Sequence, residues 1–198
     1  GIEVVEYACG NTELLKGDAL ENVASGIDCH TIRQPLGVCV GISPYNFPAM
    51  APMWMYPVAL ACGNTFVLKP SEKVPLTAVR LMELLQDAGL PAGVMNLVHG
   101  GKECVDALLE HPYVRAVSFV GQSHVARYVF EKGTRHGKRV QAAGGAKNFV
   151  FVLPDADVGK AVEGMISGAF GCAGQRCMAA STAVVVGSSA DSFLPPLA

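Results

Sequence analysis

Residues 170–179 read Phe-Gly-Cys-Ala-Gly-Gln-Arg-Cys-Met-Ala. The run sets a thiol, Cys177, directly after a fixed positive charge, Arg176, in a glycine-containing segment where backbone amides can approach a ligand. The attacking species in sulfur chemistry is the thiolate, and a neighbouring cation favours it. Such a thiolate can add to a carbonyl carbon and then carry an acyl group as a thioester. The competing reading is structural, because free cysteines are among the most buried and inert side chains.

Other residues with chemical potential follow short apolar runs. Ser43-Pro44-Tyr45-Asn46-Phe47-Pro48 follows the run at 38–42, and Lys69-Pro70-Ser71-Glu72-Lys73 follows the run at 65–68. Gly100-Gly101 and Gly121-Gln122-Ser123 follow two more. If the runs are parallel strands, all four loops lie on the carboxyl edge of one sheet, where open α/β sheets bind ligands. The Asn46 amide can donate to an oxygen gaining negative charge, with the Cys177 backbone amide as a second donor; equally, Asn46 can cap a helix after Pro48. Lys69 and Glu72 can hydrogen-bond the ribose of an adenine dinucleotide, where an acidic residue favours NAD over NADP, or they can form a solvated pair. Gly121-Gln122-Ser123 can admit a pyrophosphate to a helix N-terminus or simply make a turn. The small-residue stretch 142–148, before what reads as the fifth strand, suits either close approach to a flat ring or tight loop packing.

Composition narrows the classes. In 198 residues, 51% are hydrophobic and 16% charged, which excludes disorder and suits a sheet buried on both faces. Formal net charge is -2, and His136-Gly137-Lys138-Arg139 is a short basic turn that reads as solvated surface, so no nucleic-acid footprint is present. The seven cysteines are odd in number with no C-x-x-C, and the five histidines form no H-E-x-x-H pair, so neither a disulfide framework nor a metal site is expected. No apolar run is long enough to span a bilayer, and the chain opens on Gly1-Ile2-Glu3-Val4 with neither signal peptide nor initiator Met, as a piece of something longer would.

The elements that must position these residues follow from periodicity. β-branched apolar runs begin at 38, 65, 94, 116, 149 and 183, with helical patterns between most of them. Leu76, Val79, Met82 and Leu85 share a face of a helix starting at Pro75 and stopping at Gly89. A second helical stripe runs from Val158 to Ala169. The pattern predicts an α/β fold, a parallel sheet with helices on both faces. Residues 1–36 read as an arm: a helix over Val4–Leu15, then a polar, strand-like stretch at 18–35 without a clear partner. The tail from Gly187 is Ser-rich, ends in Pro195-Pro196, and reads as an element left incomplete.

Ser43-Pro44-Tyr45-Asn46-Phe47-Pro48, Gly63-Asn64-Thr65 with Lys69-Pro70-Ser71-Glu72, Ser118-Phe119-Val120-Gly121 and Gly174-Gln175-Arg176-Cys177 occur in the order and spacing of the aldehyde dehydrogenase superfamily. The chain resembles that family over nearly its whole length. Asn46-Phe47-Pro48-Ala49-Met50, Gly145-Ala146-Lys147-Asn148 and Gly174-Gln175-Arg176-Cys177-Met178-Ala179 carry a narrower likeness to its CoA-acylating branch, which acts on methylmalonate and malonate semialdehyde. The resemblance implies a Rossmann-like NAD-binding domain over 37–150 and the start of a catalytic domain over 151–198. It implies Cys177 as nucleophile, Asn46 as oxyanion donor, Lys69 and Glu72 at the adenosine ribose, and Ser43, Tyr45 and Lys73 in the same groove. Gln122 stands where relatives more often carry Ser at the pyrophosphate, and Gly144 where many carry a larger cofactor-lining residue. Arg176 matches an arginine that holds the substrate carboxylate. NAD, a small aldehyde and coenzyme A are the implied ligands, and a homo-oligomer the implied full-length assembly. The implied compartment is the mitochondrial matrix for a eukaryotic source and the cytoplasm for a bacterial one.

One departure is informative. Water-using relatives carry a Glu that activates water against the thioester, and the matching position here is Ala143. Without that base the thioester should survive until another thiol removes it. The alternatives are a water-using aldehyde dehydrogenase and a fragment that is inactive by itself.

Overall fold

The computed structural model describes residues 1–197, which divide into two compact units, 1–144 and 145–197. The first unit opens with α1 (Ile2–Cys9), α2 (Asn11–Leu14) and a hairpin of β1 (Ala19–Ala24) and β2 (Ile27–His30). The strand-like stretch expected to lack a partner is therefore its own partner. It turns at Ser25-Gly26, where Gly26 takes φ +75°, and every residue of both strands is exposed.

Five parallel strands follow: β3 (Val38–Ile42), β4 (Thr65–Lys69), β5 (Met95–Leu97), β6 (Val114–Val120) and β7 (Arg139–Ala143), in spatial order β5-β4-β3-β6-β7. Between them lie α3 (Tyr56–Ala61), α4 (Pro75–Asp87), α5 (Lys102–Glu110) and α6 (Ser123–Arg135). Side chains alternate across a strand, so β3 feeds two cores. Cys39 packs with Phe66, Leu68 and Ala78 beside α3 and α4, while Val40 and Ile42 pack with Val117, Phe119, Leu109 and Val129 beside α5 and α6. Burying a Leu or Phe this fully contributes about 1.5–3 kcal/mol each. Helices thus cover both faces, as the pattern predicts. α4 begins at Pro75 and is stopped by Gly89 at φ +87°.

Two expectations need correction here. The fifth strand of the sheet is β7, at 139–143, and Ala142-Ala143 are its last residues rather than loop. Its alternation hid it: only Val140 and Ala142 turn inward, while Arg139, Gln141 and Ala143 are exposed. The basic turn is not all solvated surface either. Lys138 is buried, and its ammonium donates to the carbonyl oxygens of His111 at 2.6 Å and Val114 at 3.0 Å. Desolvation pushes its pKa below the usual lysine range.

In the second unit, β8 (Asn148–Val152), α7 (Val158–Phe170) and β9 (Ala180–Val185) form a parallel βαβ unit, followed by α8 (Ser189–Leu197). Asp157 caps α7, its carboxylate accepting from the Lys160 amide at 3.0 Å. The strand at 148–152 pairs with β9 and does not extend the five-stranded sheet. The tail read as incomplete is helical despite Pro195 and Pro196, because Phe193 buries fully against Val152 and Met165.

Candidate active site

All five strands of the larger sheet are parallel, so the loops after β3, β4, β5 and β6 leave the sheet on one edge. The strand order turns back at β3, whose neighbours are β4 on one side and β6 on the other. Outside such a switch point is where open α/β sheets hold ligands.

Ser43 follows β3 directly, and its amide donates to the Lys69 carbonyl at 3.1 Å, tying the two strand ends together. The residue is buried, and among the described residues its hydroxyl is a buried polar atom with no hydrogen-bond partner. An unmet buried hydroxyl is costly, which marks the position as one built for something besides packing. Lys69 ends β4 with its side chain 6% exposed, and its ammonium meets the Glu72 carboxylate at 3.1 Å. Glu72 is 62% exposed. Its own backbone amide and then Lys69 hold its carboxyl below the usual range. The pair is therefore half-sunk rather than solvated, with a buried cation presenting a fixed, ionised carboxylate at the rim. Lys73 lies over the exposed Tyr45 ring, 5.1 Å from its centroid.

Asn46 is half-buried in the loop after β3. It is the N-cap neither of the 3₁₀ turn Pro52–Trp54 nor of α3, positions held by Ala51 and Met55. Gln122 is exposed and extended at the N-cap of α6, its carbonyl accepting from Ala126 at 2.8 Å without a side-chain cap bond. Gly144 follows β7. A Cβ there would stand 3.1 Å from the Ser123 Cα and 3.2 Å from its Oγ, so tight packing against the first turn of α6 accounts for the small residue.

The second unit holds Arg176 and Cys177, both exposed. After α7 the chain runs through three consecutive left-handed residues, Cys172 and Ala173 at φ +54° and Gly174 at φ +71°. Left-handed non-glycine residues cost about 1–3 kcal/mol each and persist where the surroundings over-determine them. Here the Gln175 amide donates to the Cys172 carbonyl at 3.0 Å, and the Ala179 amide to the Arg176 carbonyl at 3.1 Å. The Arg176 guanidinium lies against Gly171, where any Cβ would come within 2.5 Å of Nη2. The Asn148 side-chain amide reaches across from β8 and donates to the Cys177 carbonyl at 2.8 Å and the Ala179 carbonyl at 3.0 Å.

These features, a half-sunk Lys–Glu pair at a strand end and a thiol on a constrained turn further along the chain, coincide with a family match. The profile of the aldehyde dehydrogenase family matches residues 1–198. The chain belongs to the aldehyde dehydrogenase family. It is 56% identical over 197 residues to malonate-semialdehyde dehydrogenase 1 of Oceanobacillus iheyensis, covering all of this chain and 40% of that protein. Among solved structures it is similar to the methylmalonate-semialdehyde dehydrogenase of Oceanimonas doudoroffii, at TM-score 0.96 and 53% identity over 99% of this chain and 40% of that one. A putative methylmalonate-semialdehyde dehydrogenase of Sinorhizobium meliloti 1021, solved in complex with NAD, matches at TM-score 0.95 and 49% identity over 98% and 40%. The chain thus spans about 40% of the length of these relatives.

Asn148 stands out in the sequence only as part of a motif, and nothing there signals the structural roles of Lys138 and Ser181. Asn148 and Ser181 act through a strand irregularity that no spacing announces. Among the described residues, no helix is long and apolar enough to cross a membrane, and no cluster of three or more His, Cys, Asp or Glu could hold a metal ion.

Proposed function

We propose that this chain is the cofactor-binding portion, with the nucleophile segment, of an NAD-dependent, CoA-acylating semialdehyde dehydrogenase. The observation that carries the reading is the 56% identity over the whole chain to a malonate-semialdehyde dehydrogenase, joined to the absence of a carboxylate at Ala143. The residues at the sheet edge fit NAD. The unpartnered Ser43 hydroxyl, the ionised Glu72 held by Lys69, and the Lys73–Tyr45 pair all stand at the carboxyl ends of β3 and β4. Glu72 would accept from a ribose diol and repel a 2′-phosphate, and Gln122 and Gly144 would line the pyrophosphate and ring positions further along the edge.

Bound NAD supplies the acceptor for the two electrons and hydrogen leaving the substrate carbon. Cys177 performs the covalent step: its thiolate adds to the aldehyde carbon, and the carbonyl electrons move onto oxygen. Asn46 and the Cys177 amide donate to that oxyanion. Once the carbon is oxidised, its acyl group is a thioester on Cys177. The β-carboxylate then leaves as CO₂, its bonding electrons passing into the thioester carbonyl, and the α-carbon takes a proton. The CoA thiol attacks the carbonyl, the Cys177 thiolate departs, and propionyl-CoA or acetyl-CoA is released. Arg176 would hold the substrate carboxylate by a planar two-bond contact that lysine cannot reproduce. The full-length protein is proposed to be a homo-oligomer.

The test uses the full-length protein with malonate semialdehyde, NAD and CoA. Acetyl-CoA should accumulate one for one with reduced cofactor, and turnover should stall without CoA after one equivalent of thioester. Free acid formed at full rate without CoA would favour a water-using enzyme instead. Arg176→Leu should erase most of the preference for a carboxylated over a plain aldehyde, about 10- to 100-fold, the scale of a charge-assisted hydrogen bond. A preference left intact, read as the ratio of kcat/KM values, would remove Arg176 from substrate recognition.

A further inference from the structure

We infer that Asn148 is a positioning residue that orients the backbone amide of Cys177. The inference deepens the proposed function and rests on Cys177 being the nucleophile. Two peptide planes meet at the Cys177 Cα. The plane before it carries the Arg176 carbonyl and the Cys177 N–H, and its oxygen is bonded by the Ala179 amide at 3.1 Å. The plane after it carries the Cys177 carbonyl, and its oxygen is bonded by the Asn148 side chain at 2.8 Å. The same Asn148 nitrogen donates to the Ala179 carbonyl at 3.0 Å, closing the far side of the turn. With both flanking carbonyls held, rotation about the Cys177 backbone is restrained, and its N–H has a set direction. An oxyanion donor is effective to the extent that it needs no reorganisation when charge develops.

The placement of Asn148 has a local cause. The β8–β9 ladder pairs Asn148 with Ala180 but Phe149 with Thr182, so Ser181 is the extra residue of a bulge. Bulges re-aim side chains beside functional sites. Here the freed Ser181 hydroxyl accepts from the Asn148 amide and donates to the Asn148 carbonyl, both at 3.1 Å. Asn148 is thereby pinned at its backbone while its side chain reaches the Cys177 turn. Only a side-chain amide of this length offers two protons to two carbonyls at once; Asp of the same shape offers none.

The experiment uses the full-length protein carrying Asn148→Ala or the isosteric Asn148→Asp. Both variants should lose about 10-fold or more in kcat, below the 10²–10³ cost of deleting an oxyanion donor because the donor remains but is loosened. KM for aldehyde should stay within about threefold, since the lost interaction serves the transition state. Alkylation of Cys177 by iodoacetamide, followed on its own peptide because Cys9, Cys29 and Cys172 are also exposed, should change by less than about threefold, since alkylation develops no oxyanion. A kcat within about twofold of the parent in either folded variant overturns the inference. So does a joint fall of kcat, KM performance, alkylation and thermal midpoint, or failure of both variants to fold, each of which makes Asn148 a residue of the fold alone. If Cys177→Ser keeps normal turnover, the underlying reading of the nucleophile fails instead, and the two failures are distinguishable.

Discussion

Replacing Cys177 by Ser in the full-length protein should lower aldehyde oxidation by roughly 10⁴-fold, short of the roughly 10⁶ cost of deleting a nucleophile outright because a weakly nucleophilic oxygen remains. The substitution removes one sulfur and changes almost nothing else. Cys177 is exposed, so no core contact is lost, and the backbone bonds that hold the turn, Asn148 to the Cys177 carbonyl and Ala179 to the Arg176 carbonyl, do not involve the side chain. A serine hydroxyl is far less nucleophilic than a thiolate at neutral pH. NAD binding should be unchanged within about twofold, because Ser43, Lys69 and Glu72 belong to the other unit. Steady-state cofactor reduction and NAD titration check the two halves separately. Retained turnover would remove the thioester route and every role built on it.

How far the sequence reveals this arrangement depends on what kind of physics fixes each part. Strands in the middle of the sheet announce themselves as β-branched runs, and β3, β4 and β6 are legible for that reason, while β5, at an edge with Asn96 exposed, is legible only from the apolar residues around it, Val94, Met95, Leu97 and Val98. β7 was not, because an edge strand needs only one apolar face, and Arg139-Val-Gln-Ala-Ala supplies just Val140 and Ala142. The hairpin of β1 and β2 was seen as strand but not as self-paired, since its residues are exposed on both faces and leave no pattern to set register. Lys138 looked like surface because a charged residue in a Gly-containing turn usually is. Its burial depends on the carbonyls of His111 and Val114 converging on one point, which is a tertiary fact. That four loops share one edge is legible from a topological argument alone: parallel strands put their following loops together. The half-sunk state of the Lys69–Glu72 pair was not, because it turns on how deeply the end of β4 sits.

The identity of residue 143 should decide what removes the acyl group. Ala143 ends β7, its carbonyl accepts from the Gly121 amide at 3.1 Å, and its side chain is exposed. A longer side chain can therefore be introduced without displacing the sheet: the ladder bond uses the backbone, and the Cβ already faces outward. Ala143→Glu should accordingly leave folding and NAD binding nearly unchanged. It should raise release of free acid about 10-fold relative to acyl-CoA, below the 10²–10⁴ range for a positioned base because reach and pKa are not tuned. Acyl-CoA yield per reduced cofactor should fall to match, since the thioester on Cys177 can leave by only one route per turnover. Chromatographic assay of free acid and acyl-CoA against reduced cofactor measures both. An unchanged product ratio in a folded, NAD-binding variant would mean that water is kept from the thioester by something other than a missing carboxylate, and that Ala143 has no part in the choice of product.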